Sequence, residues 1–240
     1  MARILFVWEL GMGLGHTLVH LGLARRLRDA GHQVLFAIRD LAQAEEVLGA
    51  AGFRYLQAPV RLRPVTDPLP RTRTYADVLY NVGFADAGAL LAQVRAWRLL
   101  YTIVDPALVV FDHSPTALLA ARGLPMARVA LGTGFTVPPR RDPFPALPLA
   151  EGGEAAPDPV EPLLLERANA VLGTLGLAPL EALHQVLDSD RECLLTFPEV
   201  DPYGARPGVP YWGEGSAAGG AAPAWPAVPG PRVFAYLKPS

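Results

Sequence analysis

The stretch FVWELGMGLGHTLVHLGLARRLRDAGHQVLFAIRD, residues 6 to 40, decides the fold. The first strand, Ile4 to Trp8, is a short apolar run that ends just before a group of glycines. Apolar residues at helical spacing, with arginines opposite, then predict a helix over Thr17 to Ala30 that ends at Gly31. Val34 to Ile38 is the next strand. A strand, a long crossover and a second strand predict parallel pairing with a right-handed connection.

The same alternation continues along the chain. Further helices are predicted over Leu41 to Ala51, Tyr75 to Gly83, Ala87 to Val104, Thr116 to Ala121, Leu163 to Leu175 and Leu180 to Leu187. Further strands are predicted over Phe53 to Gln57, Ala107 to Phe111, Met126 to Leu131 and Glu192 to Thr196. This order predicts an α/β fold with a doubly wound, mainly parallel, Rossmann-like sheet.

Composition divides the chain into three parts. Residues 1–212 are predicted to form a Rossmann-like N-terminal domain that includes a proline-rich surface loop over residues 138–159. Residues 213–231, GEGSAAGGAAPAWPAVPGP, have the composition of an interdomain linker. Residues 232–240 alternate like a strand, so we expect them to be the first strand of a truncated C-terminal domain. The alternative is a strand that folds back onto the main sheet.

Composition also excludes several classes of protein. The formal net charge is −2 over 240 residues, which does not favour nucleic-acid binding. Cys193 is the only cysteine, so there is no intramolecular disulfide framework and no multi-cysteine zinc site, and a cytoplasmic location is expected. No uncharged segment free of Gly and Pro reaches the ~20 apolar residues of a membrane helix, which leaves peripheral membrane contact open.

Three alternate glycines, Gly11, Gly13 and Gly15, follow the first strand and open the first helix. Glycines there allow a tight turn and close packing of helix on strand. The dinucleotide fingerprint G-x-G-x-x-G is not complete, because His16 stands in the third glycine position. Arg39, at the end of the second strand, suits a 2′-phosphate, so an NADP-dependent oxidoreductase remains an alternative.

His16 and Asp112 are the candidate catalytic residues. Each lies just after a predicted parallel strand, and open α/β sheets bind ligands at the carboxyl ends of their strands. A carboxylate that accepts the Nδ1 proton of an imidazole leaves Nε2 free to take a proton from a substrate hydroxyl. An N-cap role for Asp112 in the following helix, which begins near Ser114-Pro115, is equally open and compatible with catalysis.

These motifs resemble a known family. The Gly15-His16 turn with the helix and strand start Ala24 to His32, the strand Pro106 to Asp112, and the turn Ala120 to Pro125 are similar to the N-terminal domain of UDP-glycosyltransferases. Those enzymes have the GT-B fold, in which two Rossmann-like domains face each other. The resemblance covers most of residues 1–212.

The resemblance implies a function. The N-terminal domain would bind a small-molecule acceptor, and a C-terminal domain would bind the nucleotide-sugar, which is a co-substrate with no other cofactor. His16 would deprotonate the acceptor hydroxyl, Asp112 would orient His16, and Gly11, Gly13 and Gly15 would face the donor phosphates. The reaction would be an inverting sugar transfer of the hexosyltransferase type. Without the donor domain the chain is expected to be inactive, and a non-catalytic ligand-binding module is the alternative.

The resemblance also suggests acceptor contacts. The candidates are Glu9, Tyr80, Phe84, His113 and Phe135. Glu9 competes with His16 for the role of base, and His113 is otherwise expected to be exposed. His20 lies one helical turn after His16 on the same face, which invites a metal-site interpretation. Helix packing is the favoured role for His20, and no metal ion is predicted.

Overall fold

A computed structural model describes residues 1–13, 15–147, 160–214, 223–225 and 230–233. The strands are β1 (Arg3–Trp8), β2 (Gln33–Ile38), β3 (Arg54–Gln57), β4 (Leu108–Asp112), β5 (Ala127–Gly132) and β6 (Arg191–Leu194). The helices are α1 (Gly15–Asp29), α2 (Leu41–Ala44), α3 (Tyr75–Asn81), α4 (Ala87–Val104), α5 (Pro115–Ala121) and α6 (Val160–Thr174). Helix α2 continues as a π-helical turn (Glu45–Gly49), and two 3₁₀ segments follow later (Leu183–Leu187 and Pro198–Val200).

The strands form one six-stranded sheet with the order β3-β2-β1-β4-β5-β6, and every pair is parallel. This confirms the predicted Rossmann-like α/β fold. The strand order changes direction between β1 and β4, which lie side by side although most of the first half of the chain separates them. Trp8 and Asp112 are partners in register at the carboxyl ends of these strands. Open sheets bind ligands at such a switch point, so the ends of β1 and β4 mark the position of a site.

Helices cover both faces of the sheet, because successive side chains of a buried strand point to opposite faces. Along β1, Leu5 and Val7 pack into the larger core cluster, together with residues from α3, α4, α5 and α6. Ile4, Phe6 and Trp8 pack into the other cluster, together with residues from α1, α2 and the π-helical turn. The first strand is therefore buried from both sides, and it anchors the loop that follows it.

Leu180 to Leu187, predicted as one helix, is shorter and of a different type. Only Leu183–Leu187 is helical, and it is a 3₁₀ segment. Side chains take the backbone N–H groups before it: Leu180 N–H donates to Asn169 Oδ1, and Glu181 N–H donates to Gln185 Oε1. The bond to Gln185 is local, whereas Asn169 lies on α6, and together they hold the backbone before Leu183 outside a regular helix.

The carboxyl end of the described core runs beside β6. Tyr211 forms a parallel bridge with Leu194, and the Trp212 N–H donates to the Leu194 carbonyl at 2.8 Å. Most of the predicted linker (213–231) and of the predicted further strand (232–240) lies outside the described residues, as do residues 148–159 of the predicted proline-rich loop. The division into domains therefore stays a prediction. Within the described ranges, no helix is both long and apolar enough to cross a membrane.

Candidate active site

The glycine loop between β1 and α1 makes room for an imidazole. Gly11 and Gly13 have φ values of +90° and +97°, in the left-handed region that favours glycine. A Cβ atom on Gly11 would lie 2.5 Å from His16 Nε2, whereas a Cβ on Gly13 would meet no described atom within 4 Å. Gly11 is therefore required by both backbone and side-chain packing, and Gly13 by its backbone alone.

His16 is held in a defined orientation by two neighbours. Its Nδ1 atom lies 2.8 Å from Asp112 Oδ2, and its ring stacks on Trp8 with 4.9 Å between centroids and an interplanar angle of 13°. The side chain remains about one-fifth exposed. The sequence predicts that His16 and Asp112 lie at the same edge of the sheet. In the structure the two side chains are in hydrogen-bond contact.

Asp112 is buried, yet it is held in its ionised form. Burial raises the pKa of this carboxyl, but the hydrogen bonds from His16 and His20 lower it, and the resulting pKa is about 2. Both histidines contact the same oxygen, Oδ2. Because Asp112 is ionised at neutral pH, each histidine nitrogen that contacts it must be the donor.

Asp112 does not cap α5, the alternative role left open by the sequence. The N-cap residue is Ser114, which makes no side-chain cap bond to α5; its hydroxyl donates to the Asp112 carbonyl instead. The N–H of Ala117, in the first turn of α5, donates to Glu9 Oε2 at 3.0 Å. Glu9 therefore supplies the carboxylate at this helix N-terminus. The carboxylate of Asp112 contacts His16 and His20 instead.

The environment of Glu9 differs from that of His16. It is 3 % exposed, and burial raises the pKa of its carboxyl to about 7, although hydrogen bonds from Thr116 and Ala117 lower it in part. It lines a separate cavity of about 250 Å³ with Leu10 and Arg39. Arg39 donates to the Gly11 carbonyl at 2.8 Å, so its guanidinium supports the glycine loop.

Replacing Glu9 with glutamine should remove a pH dependence of stability. The folded-state pKa of Glu9 is raised, so its protonated form is favoured by folding, and stability falls as pH rises from about 4 to about 7. At pH 8 we expect Glu9→Gln to raise the free energy of unfolding by about 2 kcal/mol, and at pH 4 to change it little. Urea unfolding of both proteins at several pH values measures the difference. Parallel pH profiles for the two proteins would contradict the assigned pKa.

A cavity of about 830 Å³ opens beside His16. Apolar side chains form much of its lining: Met12, Leu18, Val19, Phe135 and Leu195. Its polar groups include His16, Asp112, His113 and Thr133. A largely apolar cavity with a few convergent polar groups is typical of a small-molecule site.

The predicted acceptor contacts divide between this cavity and the core. His113 and Phe135 line the cavity, with 5.6 Å between their ring centroids. Phe84 is 1 % exposed and belongs to the larger core cluster, so its prediction as a cavity residue is corrected. Tyr80 is half-buried against the same cluster and does not line the cavity. Tyr80 lies on α3, which packs against this cluster, and Phe84 follows α3 and packs into the same cluster.

His113 is buried, not exposed as expected from the sequence. It has a φ of +40°, and burial lowers the pKa of its imidazole to about 4, although Asp112 acts in the opposite direction. Its Nε2 atom is buried and has no hydrogen-bond partner among the described residues. A neutral imidazole with an unpartnered nitrogen therefore lies in the lining of the cavity.

A buried ion pair, which sequence reasoning missed, holds one wall of the cavity. Arg206 Nε lies 2.9 Å from Asp201 Oδ2, and these side chains are 8 % and 0 % exposed. Tyr211 also donates to Asp201 Oδ2, at 2.8 Å. Arg206 donates through its other nitrogens to the carbonyls of Gly134 and Val137. The pair thus ties the segment before the predicted linker to the loop that carries Phe135.

Replacing Gly11 with alanine should separate backbone strain from the contact with His16. Both Gly11→Ala and Gly13→Ala force a Cβ into left-handed backbone, which costs about 1 to 2 kcal/mol of stability. Only Gly11→Ala pushes the His16 ring away, so only this variant should lose the His16 Nδ1–H signal bonded to Asp112 in ¹⁵N-edited spectra. Equal spectra for the two variants would contradict the packing of His16 on Gly11.

No cluster of three or more His, Cys, Asp or Glu side chains suited to a metal ion occurs within the described part of the chain.

Comparisons with protein-family models and with curated protein sequences give no match. Solved structures of glycosyltransferases do match. SsfS6 from Streptomyces sp. SF2575 is 17% identical, with a TM-score of 0.53 over 88% of this chain and 53% of that chain. The spinosyn forosaminyltransferase SpnP is 19% identical, with a TM-score of 0.51 over 89% of this chain and 50% of that chain.

VinC, whose structure is in complex with dTDP, is 18% identical, with a TM-score of 0.50 over 80% of this chain and 48% of that chain. The chain thus spans about half the length of these glycosyltransferases. At these low sequence identities, the similarity shows only that the fold is shared. The chain has the Rossmann-like fold of about half of a GT-B glycosyltransferase.

Proposed function

We propose that this chain is the acceptor-binding half of an inverting glycosyltransferase that moves a sugar from a nucleotide-sugar to an acceptor hydroxyl. The observation that carries the proposal is the 2.8 Å contact between His16 Nδ1 and Asp112 Oδ2 at the lining of the large cavity. An ionised carboxylate that accepts the Nδ1 proton leaves Nε2 with its lone pair.

In this mechanism His16 is the general base and Asp112 is its partner. Nε2 of His16 takes the proton of the acceptor hydroxyl while the hydroxyl oxygen attacks the anomeric carbon of the sugar. The bond from that carbon to the nucleoside diphosphate breaks, and the diphosphate leaves with the electron pair. Asp112 stabilises the imidazolium that forms, because a buried carboxylate interacts strongly with a neighbouring positive charge.

The lining of the cavity supports a small-molecule acceptor with a substantial apolar part. Met12, Leu18 and Phe135 offer apolar contact, and His113 adds an imidazole to the lining. Under this proposal His113 and Phe135 select the acceptor, and Glu9 holds α5 in place.

The nucleotide-sugar donor would be bound by a second half of the protein. That half would be comparable to the part of the matched structures that this chain does not cover. VinC was solved with dTDP and SsfS6 with thymidine diphosphate, so a nucleoside-diphosphate sugar is the proposed donor class. The loop of Gly11, Gly13 and Gly15 would face its phosphates. We expect residues 1–240 to have little transferase activity without such a half.

The proposal is tested by joining the chain to a nucleotide-sugar-binding half and supplying dTDP- and UDP-sugars with a panel of phenolic and alcoholic acceptors. Mass spectrometry should detect sugar transfer to a hydroxyl, and the H1–H2 coupling in the proton NMR spectrum of the product should show inversion at the anomeric carbon. Acceptor binding without transfer would favour the non-catalytic module. Calorimetric titration of the chain with NADPH is the second arm, and tight binding there would favour the oxidoreductase.

A further inference from the structure

His20 is a buried histidine that packs in the core and also makes a polar contact. It lies on α1 one turn after His16, it is 3 % exposed, and its ring lies 5.8 Å from that of Phe6. Its Nε2 atom lies 3.0 Å from Asp112 Oδ2, the oxygen that His16 also contacts. Helix packing, the role favoured from the sequence, does not account for this contact.

The protonation of His20 follows from its two nitrogens. Nε2 faces an ionised carboxylate, so it must carry a proton and donate. Nδ1 is buried and has no partner among the described residues. A proton there would leave a buried N–H unsatisfied, which is unfavourable. His20 is therefore a neutral donor, unable to serve as a second base without losing its bond to Asp112.

Two donors from successive turns of one helix fix the position of a single oxygen. Asp112 Oδ2 accepts from both His16 and His20, while Oδ1 lies toward Gly132, where an added Cβ would be 3.5 Å away. If His20 did not donate, rotation of the carboxylate would be opposed by His16 alone. A carboxylate that turns away from His16 Nδ1 no longer requires a proton on that nitrogen, so the Nε2–H form of His16, in which Nε2 cannot accept a proton, would become populated.

We propose that His20 is a positioning residue, which holds Asp112 Oδ2 so that His16 keeps its Nδ1 proton and presents an unprotonated Nε2. Its importance for catalysis rests on the function proposed above. Its effect on the tautomer of His16 does not, so the test uses the chain of 240 residues and requires no sugar transfer.

The test is the tautomer of each imidazole in ¹⁵N-histidine-labelled protein, read from long-range ¹H–¹⁵N correlations near neutral pH. In the wild type we expect His16 as the Nδ1–H form and His20 as the Nε2–H form. His20→Leu removes the donor at similar volume, so His16 should change to a mixture of tautomers. His20→Gln keeps a donor at a comparable distance from the backbone and should restore the Nδ1–H form of His16.

Several outcomes would overturn the proposal. An Nδ1 proton on His20 in the wild type would do so, and so would a His16 that keeps its Nδ1–H form in His20→Leu. If His20→Leu does not fold, His20→Asn, whose amide stops short of Oδ2, replaces it with the same expectation. His32→Leu is the matched control, because His32 is half-buried and contacts the Ala2 N–H, and it should leave the tautomer of His16 unchanged. If His20→Leu lost sugar transfer in the chain joined to a nucleotide-sugar-binding half, but kept the Nδ1–H form of His16, the positioning role of His20 would be wrong. The glycosyltransferase proposal would remain intact.

Discussion

Replacing His16 with alanine is expected to slow sugar transfer by roughly 10²- to 10⁴-fold, the range over which a positioned general base contributes. The physical reason is that the acceptor hydroxyl is a weak nucleophile until its proton is removed, and His16 is the imidazole that Asp112 orients at the cavity. The measurement is the rate constant at saturating acceptor and donor in the chain joined to a nucleotide-sugar-binding half. Folding of the variant is checked by urea unfolding.

His32→Ala is the matched control for this experiment, since it removes an imidazole outside the cavity lining. It should leave the rate constant of transfer unchanged. An undiminished rate constant in His16→Ala would show that the acceptor loses its proton by another route. Glu9 would then be the next candidate, because its pKa of about 7 suits a base, although it lines the neighbouring cavity.

Replacing Arg206 with leucine is expected to lower the free energy of unfolding by about 3 to 5 kcal/mol, because it leaves the buried Asp201 carboxylate without its cation. Arg206 also donates to two carbonyls of the loop that carries Phe135, so this wall of the cavity should loosen. Urea unfolding measures the first effect, and hydrogen exchange of residues 133–137 measures the second.

Arg128→Leu provides the comparison for Arg206→Leu. Arg128 pairs with Asp190 at 2.8 Å, a shorter distance than in the buried pair, but Asp190 is half exposed. Exposed pairs contribute about 0 to 1 kcal/mol, so Arg128→Leu should cost far less. Similar losses of stability in both variants would mean that burial of Asp201 is not the cause.

The fold was predictable because its signals are local. Residues 6 to 40 carry a buried strand, an amphipathic helix and a second strand in sequence, and the parallel sheet follows from that order. The approach of His16 to Asp112 was also predictable, since the carboxyl ends of parallel strands share one edge.

The rest of the site depends on contacts that no local pattern contains. The pair of Asp201 and Arg206 acts on a loop about seventy residues earlier, and His113 is buried at a position whose positive φ is uncommon outside glycine. His20 did carry a signal, its spacing of four residues from His16. Sequence alone could not show that its Nε2 reaches the same oxygen, because the direction of a buried ring depends on the packing around it.

Under the proposed function, the side-by-side arrangement of β1 and β4 has a consequence for how acceptor preference can change. His16 and Asp112 follow from the two central strands, whereas Phe135 stands on a loop beyond β5, held by Arg206. Substitutions or insertions in that outer loop can reshape the cavity while the pair that handles the proton keeps its spacing. Under the proposed function, the part of acceptor selectivity that Phe135 supplies can therefore change separately from the chemistry at the two central strands.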